Sequence, residues 1–581
     1  RNSDITSEEM YQHIKYLSSD EMEGRFPGTI GDRLTEKYLI SEFEKYNLSP
    51  AGENSFLQPF DMVTELKLGK NNEFTIEKNT VQIKYLPEVD FIPLGFSGKG
   101  KAEGNLIFMG YGICAPEQNY DDYKDINGKD IDISGKILVM MRHSPGQNEP
   151  HNNPFEKYEP SRYKTLIARD GRAAGIIFIT GPQSGEDELQ KMKFDNVLQD
   201  AGLPVISIRR NIIEQIFKDN GKDLSVIQKE IDSTKSSNSF ELSNVKSIIE
   251  ADVEPLKVVT NNVIGFIEGN DPLLKSEIIV IGAHKDHIGY GAYGSLYNGN
   301  EKKIHNGADD NASGTSGLLE IAQKISADKN KLMRSVLFIA FGAEEAGLLG
   351  SSYFTKSELF TKKNIVAMLN MDMIGRLTGK KLVIYGTGTS SIWDSSLYNI
   401  NKKFNFNITK IPGGFGPSDH SSFYSKNIPV LHFFSGTHTD YHSPSDDFEK
   451  INSVDASLIA KMVYDVAMNL NVSDNKPDFV KVVTPSGENK TMANVKVYVG
   501  TIPDYSANVE GMKLAGVKEG SPAEKGGLKA EDIIIKFGNK DVKNIYDYMY
   551  AMGEFKPGEE AEVTVLRKNE KVTVKIVLGS R

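Results

Sequence analysis

Cysteine is almost absent from this chain, because its 581 residues include only one, Cys114. A single cysteine excludes an intrachain disulfide, and it excludes a zinc site built from several thiolates. The scarcity of cysteine does not by itself decide the cellular compartment.

Long apolar runs and an excess of positive charge are also lacking. No stretch is apolar over the length that a membrane-spanning helix needs. The 68 Lys and Arg residues are outnumbered by 79 Asp and Glu, which gives a net charge of -11. No basic stripe is available for nucleic acid, so that class of partner is not expected. The 39% of hydrophobic residues suffice for the several domains that this length predicts.

The middle of the chain carries five residues of metal-ligand type, each near the end of an apolar run. They are His284, Asp310, Glu345, Asp372 and His442. Two metal ions about 3.5–4 Å apart need a bridging carboxylate, terminal imidazole and carboxylate ligands, and a free carboxylate that takes a proton from the bridging water. Glu344 supplies that free carboxylate, so the set predicts a two-metal hydrolytic site.

The neighbouring segments explain how these side chains can meet. Short apolar runs rich in β-branched residues predict strands buried on both faces, at residues 278–281, 336–341 and 365–371. These strands end just before His284, the Glu344-Glu345 pair and Asp372. In an open α/β sheet the functional crevice lies outside the carboxyl ends of the strands. Asp310 precedes a predicted helix at residues 313–325, and His442 needs a returning loop.

These motifs resemble those of a known family. The motif segments are His284-Lys285-Asp286, residues 307–314, Glu344-Glu345, Asn370-Met371-Asp372 and residues 441–446. They look like the dinuclear zinc aminopeptidase family that includes bacterial leucyl aminopeptidase, over residues 261–470. The resemblance implies an α/β fold with a mostly parallel central sheet flanked by helices, and an exopeptidase that removes N-terminal residues from peptides.

The same resemblance assigns roles to the candidate residues. Two Zn²⁺ ions would be bridged by Asp310, with terminal ligands at His284, Glu345, Asp372 and His442. Glu344 would be the general base, and Asp286 would orient His284. Asp309 is a rival to Asp310 as the bridge, because periodicity cannot separate neighbours in a loop. Four other histidines are interpreted as local structural residues, namely His287, His305, His432 and His438. For His438, which is close to His442 in sequence, lining of the cleft is the alternative.

One position departs from the family pattern. Some members have an oxyanion-steadying tyrosine three residues before a Ser-Asp-His segment, whereas this chain has Phe415 before Ser418. A phenylalanine cannot donate a hydrogen bond. A metal ion alone could fill that role, as could another donor, and the candidate donors are His420, Tyr424 and Tyr441.

Further domains surround the predicted peptidase core of residues 252–472. Residues 1–63 would be the N-terminal part of the peptidase domain, and residues 64–251 resemble a β-rich protease-associated insert. Residues 482–581 resemble a PDZ domain, with sequence signals at 495–502, 516–528 and 532–535. In a PDZ domain a peptide carboxyl end adds as a strand, and residues 498–501 form the candidate carboxylate loop. Docking of the domain against the core is the alternative role.

The N-terminal region raises two further expectations. Residues 18–28 connect two predicted helices, and a part in substrate recognition stays open because similar peptidases carry a like segment near the cleft. Because the chain begins at Arg1, we expect a removed export signal. Together with the resemblance to exported bacterial peptidases, this favours a periplasmic or secreted location.

Two other functions remain alternatives to an aminopeptidase. A carboxypeptidase of the same superfamily would need a cation for the substrate carboxylate, and Arg376 is the one nearby arginine. A peptide-binding scaffold without activity has little reason to keep every metal ligand and the base. The intact set therefore favours an enzyme.

Overall fold

The protein is described from a computed structural model. It covers residues 3–580 except 54, 147–152, 156–157, 195–199, 293, 298, 300, 483–496, 505–508 and 518–519. Residues 495, 496, 518 and 519, which belong to segments that resemble a PDZ domain, lie outside the described residues.

The N-terminal residues form two helices and the first strands. Their bounds are α1 Ser7–Leu17, α2 Ile30–Lys45, β1 Ser49–Pro50 and β2 Leu57–Leu68, with a short 3₁₀ segment at Asp20–Arg25 between the helices. Both helices begin at a threonine whose hydroxyl accepts a hydrogen bond from a backbone amide of the first turn. Helix α1 buries Met10, Ile14 and Leu17, which recur once per turn.

The insert contains a separate mixed sheet with helices on both faces. Its elements are β3 Glu73–Lys78, β4 Val81–Lys84, β5 Phe91–Pro93, β6 Gly100–Phe108, β7 Cys114–Ala115, β8 Tyr120–Asp121, β9 Ile137–Met141, α3 Ser161–Asp170, β10 Gly175–Ile179, β11 Val205–Ile208, α4 Arg210–Asp219, α5 Leu224–Thr234 and β12 Phe240–Ala251. The sheet order is β4-β3-β12-β6-β9-β10-β11-β5, with β6, β9, β10 and β11 parallel. Two apolar clusters line its faces. The assignment to protease-associated domains stays a prediction.

The central domain is built on a nine-stranded sheet. Its elements are β13 Val253–Ile267, β14 Glu277–His284, α6 Gly314–Ala327, β15 Ser335–Phe341, α7 Leu349–Lys356, α8 Glu358–Thr361, β16 Asn364–Met371, β17 Lys381–Tyr385, α9 Trp393–Phe404, β18 Asn407–Ile411, α10 His420–Tyr424, β19 Val430–Phe434 and α11 Ser453–Asn471. The sheet order is β1-β13-β15-β14-β16-β19-β17-β18, and β2 pairs with β13.

The strands at the centre of this sheet are parallel, as the apolar runs predict. β15, β14, β16 and β19 run in one direction. β13 pairs antiparallel with β15 at one end of this group, and β17 pairs antiparallel with β19 at the other end. One face packs against α1, α2, α6, α9 and α11. The other face packs against α7, α8 and α10. The predicted α/β architecture is therefore confirmed, and the carboxyl ends of the parallel strands meet at one edge.

The C-terminal residues form a small domain with its own core. Its elements are β20 Val497–Tyr498, β21 Thr501–Pro503, β22 Met512–Val517, α12 Pro522–Lys525, β23 Ile533–Phe537, β24 Lys540–Asp541, α13 Ile545–Gly553, β25 Glu560–Arg567, β26 Glu570–Val577 and β27 Gly579–Ser580. A six-stranded sheet runs β21-β22-β23-β25-β26, with β24 beside β23. Buried side chains from these strands, α12 and α13 form one cluster.

Ion pairs join this domain to the rest of the chain. Asp547 on α13 accepts a hydrogen bond from Arg169 of the insert at 2.9 Å, and the two side chains are only 6% and 10% exposed. Asp504, whose side chain is 4% exposed, pairs with Lys356 of α7 at 2.7 Å. The partly desolvated pairs show that the C-terminal domain docks on both the insert and the central domain.

No helix among the described residues has both the length and the apolar character needed to cross a bilayer.

The connection to the C-terminal domain lies along the central domain rather than free in solvent. Asp478 accepts hydrogen bonds from the hydroxyl of Ser390 and from the amide and hydroxyl of Ser391. The next residues continue this contact, since Val480 N donates to the Thr389 carbonyl at 2.8 Å and Val482 N donates to the Tyr424 hydroxyl at 2.9 Å. Residues 478–482 therefore belong structurally to the central domain.

This contact predicts where the C-terminal domain can be removed. A chain shortened after Val482 keeps the linker contacts, whereas one shortened after Asn475 loses them. We expect the shorter chain to be less stable by about 2–5 kcal/mol, because five hydrogen bonds are lost and each contributes roughly 0.5–1 kcal/mol. Chemical denaturation of the two truncated chains measures the difference, and Asp478→Ala in the full chain should reproduce part of it. Equal midpoints would contradict the assignment.

Candidate metal centre

The fold brings all five predicted ligand residues to the carboxyl edge of the parallel strands. His284 ends β14, Asp372 follows β16 directly, and Glu344 and Glu345 follow β15. Asp310 lies in the turn Ala308–Ser313 before α6, and His442 lies in the loop between β19 and α11. Strand periodicity turns His284 toward the cleft, while the next residue, Lys285, points back to α2.

Two groups of ligand atoms form within this cluster. In the first, Nε2 of His284 lies 3.2 Å from Asp372 Oδ1 and 3.3 Å from Asp310 Oδ1. In the second, Nε2 of His442 lies 3.0 Å from Glu345 Oε2 and 3.3 Å from Asp310 Oδ2. Imidazole nitrogens and carboxylate oxygens in such groups are the ligands that Zn²⁺ prefers.

Asp310 is shared between the two groups. Its Oδ1 faces His284 and its Oδ2 faces His442, which is the arrangement that a bridging carboxylate requires. The carboxylate of Asp309 is directed elsewhere, because it accepts hydrogen bonds from Gly375 N at 2.6 Å and from the Ser313 hydroxyl at 3.0 Å. The geometry therefore favours Asp310 over its neighbour as the bridge.

His287 also reaches the second group, which sequence reasoning did not foresee. Its Nδ1 lies 2.7 Å from Glu345 Oε1 and 3.9 Å from Asp310 Oδ2. His287, Asp310 and Glu345 together could hold an ion. The interpretation of His287 as a purely local residue missed this contact, because the turn that brings it back to β15 leaves no periodic signal. Its position suits either a ligand or a donor that orients Glu345.

The imidazoles are oriented by backbone carbonyls. Nδ1 of His442 lies 2.8 Å from the Gly294 carbonyl, and Nδ1 of His284 lies 3.2 Å from the Asp286 carbonyl. A carbonyl only accepts, so each Nδ1 carries the hydrogen and each Nε2 faces the carboxylates. Nε2 of His442 is buried without a hydrogen-bond partner of suitable geometry, although it lies 3.0 Å from Glu345. A buried ring nitrogen that faces carboxylate oxygens in this way is placed to bind an ion between them.

The electrostatics of the cluster favour positive charge. Burial alone would raise the pKa of Asp310, but the imidazoles of His284 and His442 outweigh it and hold that pKa well below its ordinary value. Burial opposes protonation of His442, yet Asp310 and Glu345 raise its pKa to about 11. The cluster thus attracts protons onto its imidazoles, and cations bound there would displace them.

Glu344 differs from Glu345 in its surroundings. Glu345 contacts both His287 and His442, which hold its pKa below the ordinary value despite burial. Glu344 lies 3.9 Å from His284 Nε2, and burial followed by the nearby Glu345, Asp372 and Asp419 carboxylates raises its pKa well above the ordinary value. Glu344 is therefore the carboxylate of the pair that is suited to accept a proton.

Asp286 holds the turn that carries these two glutamates. Its carboxylate accepts hydrogen bonds from the amides of Glu344 at 3.0 Å and Glu345 at 3.4 Å. It lies 3.8 Å from Nδ1 of His284, beyond hydrogen-bonding distance. The structure therefore connects Asp286 to His284 through its backbone carbonyl, and connects its carboxylate to the glutamate pair.

The three residues that could replace the missing oxyanion-steadying tyrosine differ in their surroundings. The hydroxyl of Tyr424 accepts from Val482 N in the linker. His420 is fully buried and stacks on His432 with ring centroids 4.3 Å apart. Tyr441 stacks on His442 at 3.9 Å, and its pKa is raised by burial and by the nearby carboxylates of Asp310 and Glu345. Of the three, Tyr441 lies at the candidate site.

Comparisons with known proteins identify similar domains in the central and C-terminal parts of the chain. Residues 262–467 match the model of peptidase family M28, and residues 478–578 match the PDZ domain model. The chain therefore contains an M28 peptidase domain and a C-terminal PDZ domain. Aminopeptidase YwaD of Bacillus subtilis is 31% identical over 242 residues, which cover 39% of this chain and 49% of that protein. A probable leucine aminopeptidase of Arthroderma otae is 31% identical over 211 residues, or 34% of this chain and 55% of that protein.

The matched segments span about half the length of these curated relatives. Among solved structures, the zinc aminopeptidase BSAP from Bacillus subtilis is 20% identical, covers 83% of this chain and 98% of that chain, and has a TM-score of 0.46. An aminopeptidase from Aneurinibacillus sp. strain AM-1 is also 20% identical, covers 83% and 97%, and has a TM-score of 0.47.

The contacts of Asp286 lead to a prediction. Asp286→Asn keeps the shape but replaces one acceptor oxygen by a donor group that faces backbone amides. We expect metal affinity to fall by about 10- to 100-fold, as is typical when a residue that orients ligands is changed. Competition with a chromophoric chelator measures the affinity. Unchanged affinity would show that the glutamate turn does not depend on this carboxylate.

Proposed function

We propose that this chain is a zinc-dependent aminopeptidase that hydrolyses N-terminal residues from peptides, with Glu344 as the general base. The observation that carries the proposal is the division of Asp310 between two ligand groups, with its two oxygens facing His284 and His442. The proposed ligands of two Zn²⁺ are the five residues named from sequence. His287 is a sixth candidate beside Glu345.

The residues of the cleft fit the steps of peptide hydrolysis. Two zinc ions bound there would polarise the scissile carbonyl and lower the pKa of a water molecule. Glu344 would accept the proton of that water and pass it to the departing amine, since its neighbour Glu345 is engaged by histidines. Tyr441 lies beside His442, where its hydroxyl would donate to the developing oxyanion in place of the absent tyrosine at position 415.

The surroundings favour an aminopeptidase over a carboxypeptidase. The guanidinium of Arg376, the cation that a carboxypeptidase would need, contacts Asp440 Oδ2 through both terminal nitrogens at 3.2 Å. Asp440 in turn binds Lys450 at 2.7 Å. The charge of Arg376 is thus engaged, while buried carboxylates crowd the cleft and would attract a free α-amine. The two relatives described above carry aminopeptidase names.

The PDZ domain would act on peptide substrates or other peptide ends. Strand β21 is the last strand at its edge of the described sheet, and the preceding Gly500 has a left-handed φ of +83°, a conformation that occurs in the backbone nests that bind anions. A peptide would add along β21. Helix α13 is held on the insert by the Arg169–Asp547 pair, so the domain would present a peptide from a fixed position.

The remaining assignments are kept as proposals. The residue limits of the four domains are proposed as in the sequence analysis, except that the contacts of residues 478–482 extend the central domain to Val482. A periplasmic or secreted location is proposed on the resemblance to exported peptidases. Cell fractionation with an antibody against the native protein would test the location.

Two adjacent substitutions test the roles of the glutamates. Glu344→Gln removes the proton acceptor, so turnover should fall by about 10²- to 10⁴-fold while metal content stays at two ions per chain. Glu345→Gln should instead lower the metal content. Elemental analysis and turnover are measured on the same preparations, and each variant is the control for the other. Near wild-type turnover in Glu344→Gln would refute its role as the base.

The substrate class is tested with matched peptides. An aminopeptidase needs the free α-amine, so an N-acetylated peptide should react at least about 10²-fold more slowly than its free counterpart. Amidation of the carboxyl end should have little effect on a short peptide. Mass spectrometry of the products identifies the end that is cut. Loss of C-terminal residues from the acetylated peptide would establish a carboxypeptidase instead.

A further inference from the structure

Two buried charged side chains outside the proposed ligand set hold the same short segment. The segment is residues 306–310, here called the Asp310 loop. Arg25 approaches it from the connection between α1 and α2, and Asp446 approaches it from the segment that follows His442. Neither residue has a role in the hydrolysis described above.

Arg25 binds the carbonyl side of the Asp310 loop. Its guanidinium donates to the carbonyls of Asn306 at 2.6 Å and Gly307 at 2.9 Å, and it lies 3.5 Å from that of Asp310. It also donates to Leu17 O at 2.6 Å and to Lys285 O at 3.0 Å. Arg25 is 1% exposed, and burial lowers its pKa to about 10, so it stays charged at neutral pH.

Asp446 binds the amide side of the same loop. Its Oδ2 accepts hydrogen bonds from Asp309 N at 3.0 Å and from Asp310 N at 3.1 Å. Its backbone carbonyl accepts from Ala308 N at 3.0 Å. Asp446 is fully buried and follows His442 by four residues. One residue thereby connects the loop that carries His442 to the loop that carries Asp310.

The Asp310 loop needs such partners because its backbone is irregular. Gly307 has a left-handed φ of +58°, and Asp310 has φ -103° and ψ 93°, outside the helical region. Peptide groups in this conformation lack the regular partners of a helix or strand, and buried ones must be satisfied by other groups. A guanidinium supplies donors for the carbonyls, and a carboxylate supplies acceptors for the amides.

We propose that Arg25 and Asp446 are positioning residues that clamp the Asp310 loop from opposite sides and thereby set Asp310 midway between the two ligand groups. This deepens the proposed function and rests on it for the role of Asp310 as a bridge. It also gives residues 18–28 a role, since Arg25 of this helix connection binds the carbonyls of the Asp310 loop.

Metal binding by the metal-free protein tests the clamp directly. Arg25→Lys keeps the charge but replaces the planar fork by one compact ammonium. Asp446→Asn keeps the shape but weakens the acceptor. We expect each variant to bind zinc about 10- to 100-fold more weakly in a stepwise chelator competition. Asp446→Asn should weaken the ion near His442 more than the other, whereas Arg25→Lys should weaken both.

Arg25→Gln separates positioning from simple electrostatics. Removing a positive charge beside the carboxylates should strengthen cation binding if charge alone matters, and should weaken it if the fork positions the loop. Asp447→Asn is the matched control for Asp446→Asn, because Asp447 accepts only from the side-chain amide of Asn306 in this loop, at 3.1 Å. The control should bind zinc like the wild type.

Spectra and unfolding guard against a trivial loss of structure. The visible absorption of Co²⁺-substituted protein reports ligand geometry and should change in Arg25→Lys and Asp446→Asn but not in Asp447→Asn. Circular dichroism and thermal unfolding of the metal-free proteins show whether each variant is folded. If Arg25→Lys fails to fold, the comparison of Asp446→Asn with Asp447→Asn decides.

The outcomes distinguish this proposal from the proposed function. Wild-type affinity and spectra in both Arg25→Lys and Asp446→Asn would overturn the clamp, even if the protein binds two ions and cleaves peptides. A wild-type protein that binds a single ion would instead refute the two-zinc centre. The difference in affinity for that ion between Asp446→Asn and Asp447→Asn would still decide whether the clamp exists.

Discussion

The peptidase domain is arranged around a buried cluster of carboxylate side chains. Asp310, Glu344, Glu345 and Asp372 meet at the carboxyl edge of the parallel strands, where their side chains have little access to water. Carboxylates so close together repel one another and would protonate or move apart unless positive charge or hydrogen bonds compensate. The surrounding structure provides both, through imidazoles in the cleft and amides and a guanidinium behind it.

Compensation of buried charge also involves Lys285, the residue that follows His284. Lys285 is buried and forms ion pairs with Asp32 and Glu36 of α2, the latter at 3.2 Å. Because side chains alternate along an extended backbone, His284 at the end of β14 points into the cleft and the next residue, Lys285, points into this second ionic cluster. The N-terminal helix α2 is therefore fixed to the strand that carries a candidate ligand. Residues of α2, which are far from His284 in sequence, thus help to hold it in place.

Much of this arrangement follows from sequence pattern, and the reason is periodicity. Apolar runs ending just before His284, Glu344 and Asp372 predict buried parallel strands, whose carboxyl ends meet in space. Pattern alone could not separate Asp309 from Asp310, since the two lie in an irregular turn. The resemblance to a family favoured Asp310, and the direction of each carboxylate supports the same choice.

Other contacts could not be predicted, because no periodic pattern in the sequence indicates them. His287 contacts Glu345 because the chain turns back after β14. Arg25 reaches the carbonyls of the Asp310 loop only when α1 and α2 have packed. The segment 478–482 directly follows a polar stretch at residues 471–477, and its backbone and Asp478 bind the central domain. Such tertiary contacts depend on which loops face each other, and local sequence does not encode that.

The pairing of β2 with β13 determines how the insert is attached to the peptidase domain, and the attachment affects how the chain can evolve. These strands lead into and out of the insert, and they pair from Leu57 with Val263 up to Leu68 with Val253. The insert therefore begins and ends at adjacent points at the tip of one two-stranded ribbon. The entropic cost of closing a loop grows only slowly with the length of the loop. An insert of almost any size can therefore be attached at the tip of the ribbon. A domain attached in this way can be gained, enlarged or exchanged during evolution while the strand register of the peptidase sheet stays unchanged.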